Sequence, residues 1–174
     1  MTTPTTRGSP PHSIVVMGVE GSGKTTVARA LAVALDVEFL DADSLHSAHN
    51  RAKMAAGEAL SDADRLPWLQ AVGERLLQAK VAERVVVIAC SALKRGYRDL
   101  LRGYDADVVF VHLVGPIDVV RTRVASRTHD FAGPSLLDSQ YAQLEPLAGD
   151  EKGVTLDLRL RVEEIVASVI DHVA

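Results

Sequence analysis

Short runs of β-branched and apolar residues recur along the chain, separated by longer stretches in which apolar residues return every three or four positions. The first run, SIVVM at 13–17, stops at a glycine. After it Val27, Ala30, Leu31, Ala34 and Leu35 fall at i, i+3, i+4, i+7 and i+8, the single apolar face of a helix. EFLD at 38–41 predicts a second strand, and 44–56 and 64–82 predict helices, the latter carrying Leu69, Val72, Leu76 and Leu77. RVVVIA at 84–89 is almost continuously apolar, as in a strand covered on both faces. A helix around 93–102 and the strand DVVFVHL at 107–113 come next, then a helix opened by Pro116 with Val119, Val120, Arg123 and Arg127. THDFAGPS at 128–135 interrupts it, and a short helix at 136–145 stops before Pro146. GVTLDL at 153–158 is a fifth strand and 161–173 a closing helix. Strands alternating with helices imply βαβ units, hence an α/β fold: a five-stranded parallel sheet with helices on both faces, in three layers.

The stretch GVEGSGKTT at 18–26 lies between the first strand and the first helix, and Gly18, Gly23, Lys24 and Thr25 fill the pattern G-x-x-x-x-G-K-[ST]. Backbone N–H groups converging on a phosphate need turns that a Cβ would obstruct, and a helix N-terminus adds partial positive charge. Lys24 is placed to reach the β- and γ-phosphates, and the Thr25 hydroxyl to ligate Mg²⁺. The fold is therefore expected to be that of the P-loop NTPases. A GTPase is excluded by the lack of an Asn/Thr-Lys-x-Asp base-reading signature.

At 174 residues the chain is expected to be one domain, 13–174, behind a flexible Pro/Thr-rich tail at 1–12. A net charge of −4 argues for no nucleic-acid partner. No apolar run is long enough to span a membrane and the N-terminus has no secretory h-region, so a cytoplasmic protein is expected. The single cysteine, Cys90, ends an apolar run and reads as a buried thiol.

The second strand ends in LDADSLH. Asp41 and Asp43, two apart on an extended segment, would point to the same side at the sheet edge where the phosphate loop lies. Asp41 is the candidate for the metal shell, Asp43 for accepting or orienting the attacking hydroxyl, and His46 for a substrate contact. Lys94 and Arg98, four apart on a predicted helix, suit an anion grip. The alternatives are a solvated basic face, or Arg98 pairing with Asp99 or Asp105. Asp62, Asp64 and Arg65 either supply substrate contacts or cap the helix carrying Trp68, itself read as packing. Arg123 and Arg127 share a helix face ahead of the interrupted segment. They would stand over the transferring phosphoryl group as part of a mobile lid at about 124–138. Gln140 is a candidate substrate contact, with helix packing as the alternative.

Several blocks in order, MGVEGSGKTT, FLDADSLHSAHNRAKMAAGEALSDADRLPWL, CSALKRGYRDLLR and LLDSQYAQLEPL, resemble the bacterial-type gluconate kinases (gluconokinases) of the shikimate-kinase-like branch of P-loop kinases, from about 14 to 170. The resemblance implies ATP-dependent phosphorylation of D-gluconate at its terminal hydroxyl. Gly21, Ser22, Gly23, Lys24, Thr25 and Thr26 would cradle ATP, and Asp43 and His46 would meet the hydroxyls of the sugar acid. It also implies a homodimer. The chain departs from the family pattern twice. Arg127 is followed by Thr128, His129, Asp130 and Phe131 in place of two residues and His-Phe, and Ser47 replaces the proline after LH. Alternative readings are a kinase of another sugar acid, polyol or shikimate-like alcohol, and a regulatory protein that binds ATP without transferring its phosphate.

Overall fold

Five apolar runs become the strands β1 (Ile14–Met17), β2 (Glu38–Asp41), β3 (Val86–Ala89), β4 (Val109–Val114) and β5 (Gly153–Asp157). All pair in parallel, in the order β2-β3-β1-β4-β5. The chain leaves the central β1 for one edge, returns beside it as β3, and crosses to the other side as β4 and β5. The topological switch therefore falls at β1, where α/β sheets open their ligand crevice. The computed structural model describes residues 12–127 and 134–174. The expected tail, up to residue 11, and the altered segment at 128–133 lie outside the described residues.

The helices are α1 (Lys24–Leu35), α2 (Ala48–Ala55), α3 (Asp62–Val81), α4 (Arg95–Tyr104), α5 (Ile117–Ala125), α6 (Pro134–Gln143) and α7 (Val162–Val173), with a 3₁₀ turn at Ala42–Leu45. Alternation along the strands sorts the core into two layers. Ile14, Val16, Val87, Ala89 and Val111 pack against Val27, Leu31, Ile165 and Val169 of α1 and α7. Val15, Met17, Ile88 and Phe110 pack against Leu69, Val72, Leu76 and Leu101 of α3 and α4.

Local chemistry moves some boundaries. The predicted helix 44–56 divides, because Asp41 caps a 3₁₀ turn and Ser47 then caps α2. Helix α3 starts at Asp62 rather than 64 because Ser61 and Asp64 form a reciprocal capping box: Asp64 N donates to Ser61 Oγ at 3.1 Å and Ser61 N to Asp64 Oδ2 at 2.9 Å. In α1 the buried stripe is Val27, Ala28, Leu31 and Ala32, while Ala34 is exposed. Val27, Leu31 and Leu35 set that face, and an alanine beside it fits on either side of the stripe.

Arg98 corrects a sequence expectation. It is fully buried, and its guanidinium turns away from any ligand toward Glu151, with Nε donating to Oε1 at 2.8 Å and Nη2 to Oε2 at 3.0 Å. Nη1 donates to the carbonyls of Ala92 and Leu93, and Nη2 also to that of Pro146. All five guanidinium donors are thereby used inside the protein. Burial alone would raise the pKa of Glu151. Hydrogen bonds from Arg98, the Ala148 amide and Arg102 outweigh it and bring the value down to about 2. This pair fastens the segment after α6 to α4. Beside it lies His112 of β4, buried, with neither ring nitrogen partnered among the described residues. Burial, reinforced by the positive Arg98 and opposed by Glu151, lowers its pKa to about 4.

Two outcomes are expected. Glu151→Ala leaves the Arg98 charge buried and unpaired and should cost about 3–5 kcal/mol, read as a lower urea midpoint. An unchanged midpoint would exclude the pair as an anchor. Unfolded His112 protonates near 6.5 but the folded ring only near 4, so its contribution is complete above 6.5 and is lost as pH falls toward 4. His112→Leu should flatten that part of the stability–pH curve at little cost near neutral pH, since no hydrogen bond is broken.

Candidate active site

The carboxyl ends of β1, β2 and β3 open onto a cavity of about 660 Å³. Of the residues expected to carry chemistry, Gly21, Gly23, Lys24, Thr25, Thr26, Asp41, Asp43, His46, Arg127 and Gln140 line it. The floor is the loop between β1 and α1. A Cβ on Gly18 would lie 2.8 Å from Ser22 Oγ and 2.9 Å from the Leu113 carbonyl, so no larger residue fits there. Gly23 caps α1 at φ 94°, in the left-handed region. The first-turn amides of Lys24, Thr25 and Thr26 have no carbonyl four residues back within the helix. They begin a helix whose N-terminus meets the cavity. The Ser22 hydroxyl is buried in the loop without a partner among the described residues. This cradle of open amides over positive-φ glycines fits phosphate oxygens.

Groups outside the loop hold it in shape. Gly18 N donates to Ser91 O at 3.3 Å, and Glu20 N to Gln140 Oε1 at 2.6 Å. Lys24 Nζ donates to Val19 O at 3.0 Å. Arg123, expected to contact the nucleotide, instead braces the loop from outside: Nη2 donates to Leu158 O at 2.8 Å and Nη1 approaches Ser22 O at 3.5 Å. Its shared helix face with Arg127 does not exist, because α5 ends at Ala125, Ser126 is its C-cap and Arg127 lies beyond. Arg127 nevertheless reaches the cavity wall.

Asp41 and Asp43 both line the cavity, though not by strand alternation. The chain turns into 3₁₀ after Asp41, whose Oδ1 accepts from the Asp43 amide at 3.0 Å. The carboxylate of Asp43 is thus carried on a turn that Asp41 caps. Withdrawal from water raises the Asp43 pKa, with Asp41 adding to the rise and Lys24 opposing it. Lys24 is pushed the other way, its pKa lowered by burial against the pull of Asp43.

His46 is 8% exposed and stacked on Trp68, with ring centroids 4.2 Å apart and planes 14° off parallel. Trp68 Nε1 donates to Ala42 O at 2.7 Å, so the residue read as simple packing also shelves the histidine. Burial, then the positive Arg51 and Arg65, lowers the His46 pKa to about 4.

Arg51 and Arg65 also line the cavity, Arg65 being one of the residues for which substrate contact and helix capping are the two sequence readings. Arg51 Nη2 donates to Ser44 O at 2.8 Å. Arg65 Nη1 donates to neutral oxygens, Tyr97 Oη at 3.1 Å and Gln143 Oε1 at 3.2 Å, with Asp62 Oδ1 at 4.0 Å. The signal available for Arg65 was its place one turn before Trp68 in a capped helix. Lys94 is not a wall residue. It occupies the N-cap of α4 with extended backbone, so no helix face is shared with Arg98, and its amine bonds Asp62 at 3.0 Å.

The family model described as an AAA domain matches residues 14–147. The thermoresistant gluconokinase of Escherichia coli (strain K12) is 42% identical, over 92% of each chain. The gluconokinase of Gluconobacter oxydans is 40% identical, over 97% of this chain and 94% of its own. The chain belongs to the gluconokinase family. Among solved structures, a gluconokinase from Sinorhizobium meliloti superposes with a TM-score of 0.86 at 42% identity, over 94% of this chain and 92% of its own. A Mycobacterium tuberculosis APS kinase, at 21% identity and TM-score 0.68, shares the fold alone. Against the family pattern, Ser47 in place of proline gains a cap: its Oγ accepts from Asn50 N at 3.1 Å and starts α2.

Proposed function

We propose that the protein transfers the γ-phosphoryl group of ATP to the terminal hydroxyl of D-gluconate, giving 6-phosphogluconate and ADP. The observation that carries the reading is one cavity containing both the phosphate loop and Asp43, together with Arg65, a guanidinium hydrogen-bonded to neutral oxygens. A phosphate donor, a hydroxyl acceptor and a carboxylate partner are the three things this reaction needs.

The hydroxyl oxygen of gluconate attacks the γ-phosphorus, the bond to the bridging β-oxygen breaks, and ADP leaves in line. Asp43 holds the attacking hydroxyl and takes its proton, a role suited to a carboxylate whose pKa is raised by burial. Loop amides, Lys24 and Arg127 face the charge that spreads over the phosphoryl oxygens. A bound Mg²⁺ would supply neutralisation of the charge that develops on the phosphate oxygens. The Thr25 hydroxyl and Asp41 would hold it. No group of three or more metal-ligating side chains exists among the described residues. Arg65 pairs with the gluconate carboxylate, and Gln140 both braces the loop and borders the cavity. The segment at about 124–138 acts as the lid over the reaction.

Coupled ADP release with Mg-ATP tests the reading, comparing D-gluconate with other aldonic acids, shikimate, glucose and no acceptor. Stimulation by a different acceptor would move the substrate assignment to that alcohol, and ATP binding without any stimulated release would overturn transfer altogether. Within the gluconate reaction, Asp43→Asn should lower kcat by a factor of about 10² or more. Near-normal turnover would remove Asp43 from the mechanism. Arg65→Met should raise the KM for gluconate about tenfold or more with kcat nearly held, the mark of lost ground-state binding. A fall confined to kcat would contradict the carboxylate assignment.

A further inference from the structure

Ser47 sets Asn50 at the third position of α2, and Asn50 is 3% exposed, so its side-chain amide must find partners inside the protein. Its Nδ2 lies 2.8 Å from the carbonyl oxygen of Asp64 and 3.3 Å from His46 Nδ1. The carbonyl can only accept. Rotating the amide would set oxygen against oxygen, so the Asp64 carbonyl pins the nitrogen in place. One N–H goes to that carbonyl and the other to His46 Nδ1, which must then present a lone pair. A neutral imidazole carries a single N–H, leaving it on Nε2.

We infer that Asn50 is a positioning residue that locks His46 as the Nε2–H tautomer, so that this ring meets the substrate as a hydrogen-bond donor and not as a base. The inference rests on the kinase reading above for its substrate, but not for the tautomer. Trp68 fixes the plane of the ring and Asn50 its polarity. The charged groups acting on it are Arg51 from α2 and Arg65 from α3, both of which favour the neutral ring that burial already imposes. Asp43, an acceptor, and His46, a donor, then line one cavity with opposite hydrogen-bond sense. A polyhydroxy acid can satisfy both by donating a hydroxyl proton to Asp43 and accepting at an oxygen from His46. A proton taken up during transfer goes to Asp43, because Nε2 of His46 already carries its hydrogen and has no lone pair free.

The test is ¹⁵N NMR of the full-length protein with labelled histidine near neutral pH, the His46 signals being assigned by their loss in His46→Gln. A pyridine-like Nδ1 and a pyrrole-like Nε2–H are expected with and without gluconate. An Nδ1–H ring, or a charged one, would overturn the inference. Asn50→Asp places an acceptor against Nδ1, so it should bring in the Nδ1–H form and raise the ring pKa. The kcat/KM for gluconate should then acquire an ionisation between about pH 5 and 8 that the unaltered protein lacks. Asn50→Leu, with the lock removed, should raise KM for gluconate about tenfold while kcat stays within about threefold. If both variants lose only folded protein, and the remainder keeps the original tautomer and pH profile, Asn50 is merely structural and the inference fails. Should gluconate prove not to be the acceptor, the spectrum of the unaltered protein still decides the tautomer.

Discussion

Amides that must stay open for a phosphate cannot hold their own loop in shape, and this requirement organises the structure around residues 18–23. In a strand or helix the backbone is braced by its own hydrogen bonds. Here one bond within the loop, Ser22 N to Val19 O at 3.2 Å, is joined by four braces: the Ser91 carbonyl after β3, Gln140 of α6, Arg123 of α5 and Lys24. Two of these four are side chains from the helices on either side of the segment at 128–133. The loop and those helices are therefore one mechanical unit, and a change in the position of α5 or α6 is felt directly at Glu20 or Ser22. The buried Arg98–Glu151 pair extends the same unit, because it ties the chain that leaves α6 to α4.

Much of this was legible in the residues. Continuous apolar runs marked the strands, since a parallel sheet covered on both faces has no polar side to show. The glycines and lysine of the loop announced their chemistry because few other backbones need that composition. The place of Asp43 and His46 at a strand's end put them at the sheet edge, and both line the cavity there, even though the turn carrying them is 3₁₀ and not extended. What failed was the reading of cations by helical spacing. Lys94 and Arg98 look like neighbours on a helix, but Lys94 is a cap and Arg98 points inward. The partner that takes Arg98 inside, Glu151, is remote in sequence and no local pattern exposes it. Arg65 failed in the opposite direction. It resembled part of a capping cluster, and only the arrival of Tyr97 and Gln143 from two other helices shows it as a cavity residue.

The substitution of serine for proline at 47 shows how a departure can be absorbed. Proline would preset the backbone entering α2; serine supplies an acceptor for the Asn50 amide, and so settles the same turn by a hydrogen bond. The position of Asn50, and through it His46, is then fixed from the N-cap, from Asp64 and from Trp68 at once. Residues on α2, α3 and the 3₁₀ turn thus agree on one side chain.

Three ionisable groups of the cavity are displaced in one chemical sense. Burial raises the pKa of Asp43 and lowers those of Lys24 and His46, in each case favouring the neutral form. Mutual attraction between Lys24 and Asp43 restores part of the charge, though Asp41 adds to the rise at Asp43; for His46 the neighbouring Arg51 and Arg65 push further toward neutrality. The wall is consequently polarised by design of position and not by residue type. Lys24 and Asp43 offset part of one another's displacement, while every group acting on His46 pushes it toward neutrality. His46 is buried in this wall whereas Asp43 is exposed and Lys24 lies between, so a ligand that covers Asp43 and Lys24 would strengthen their interaction with its charge.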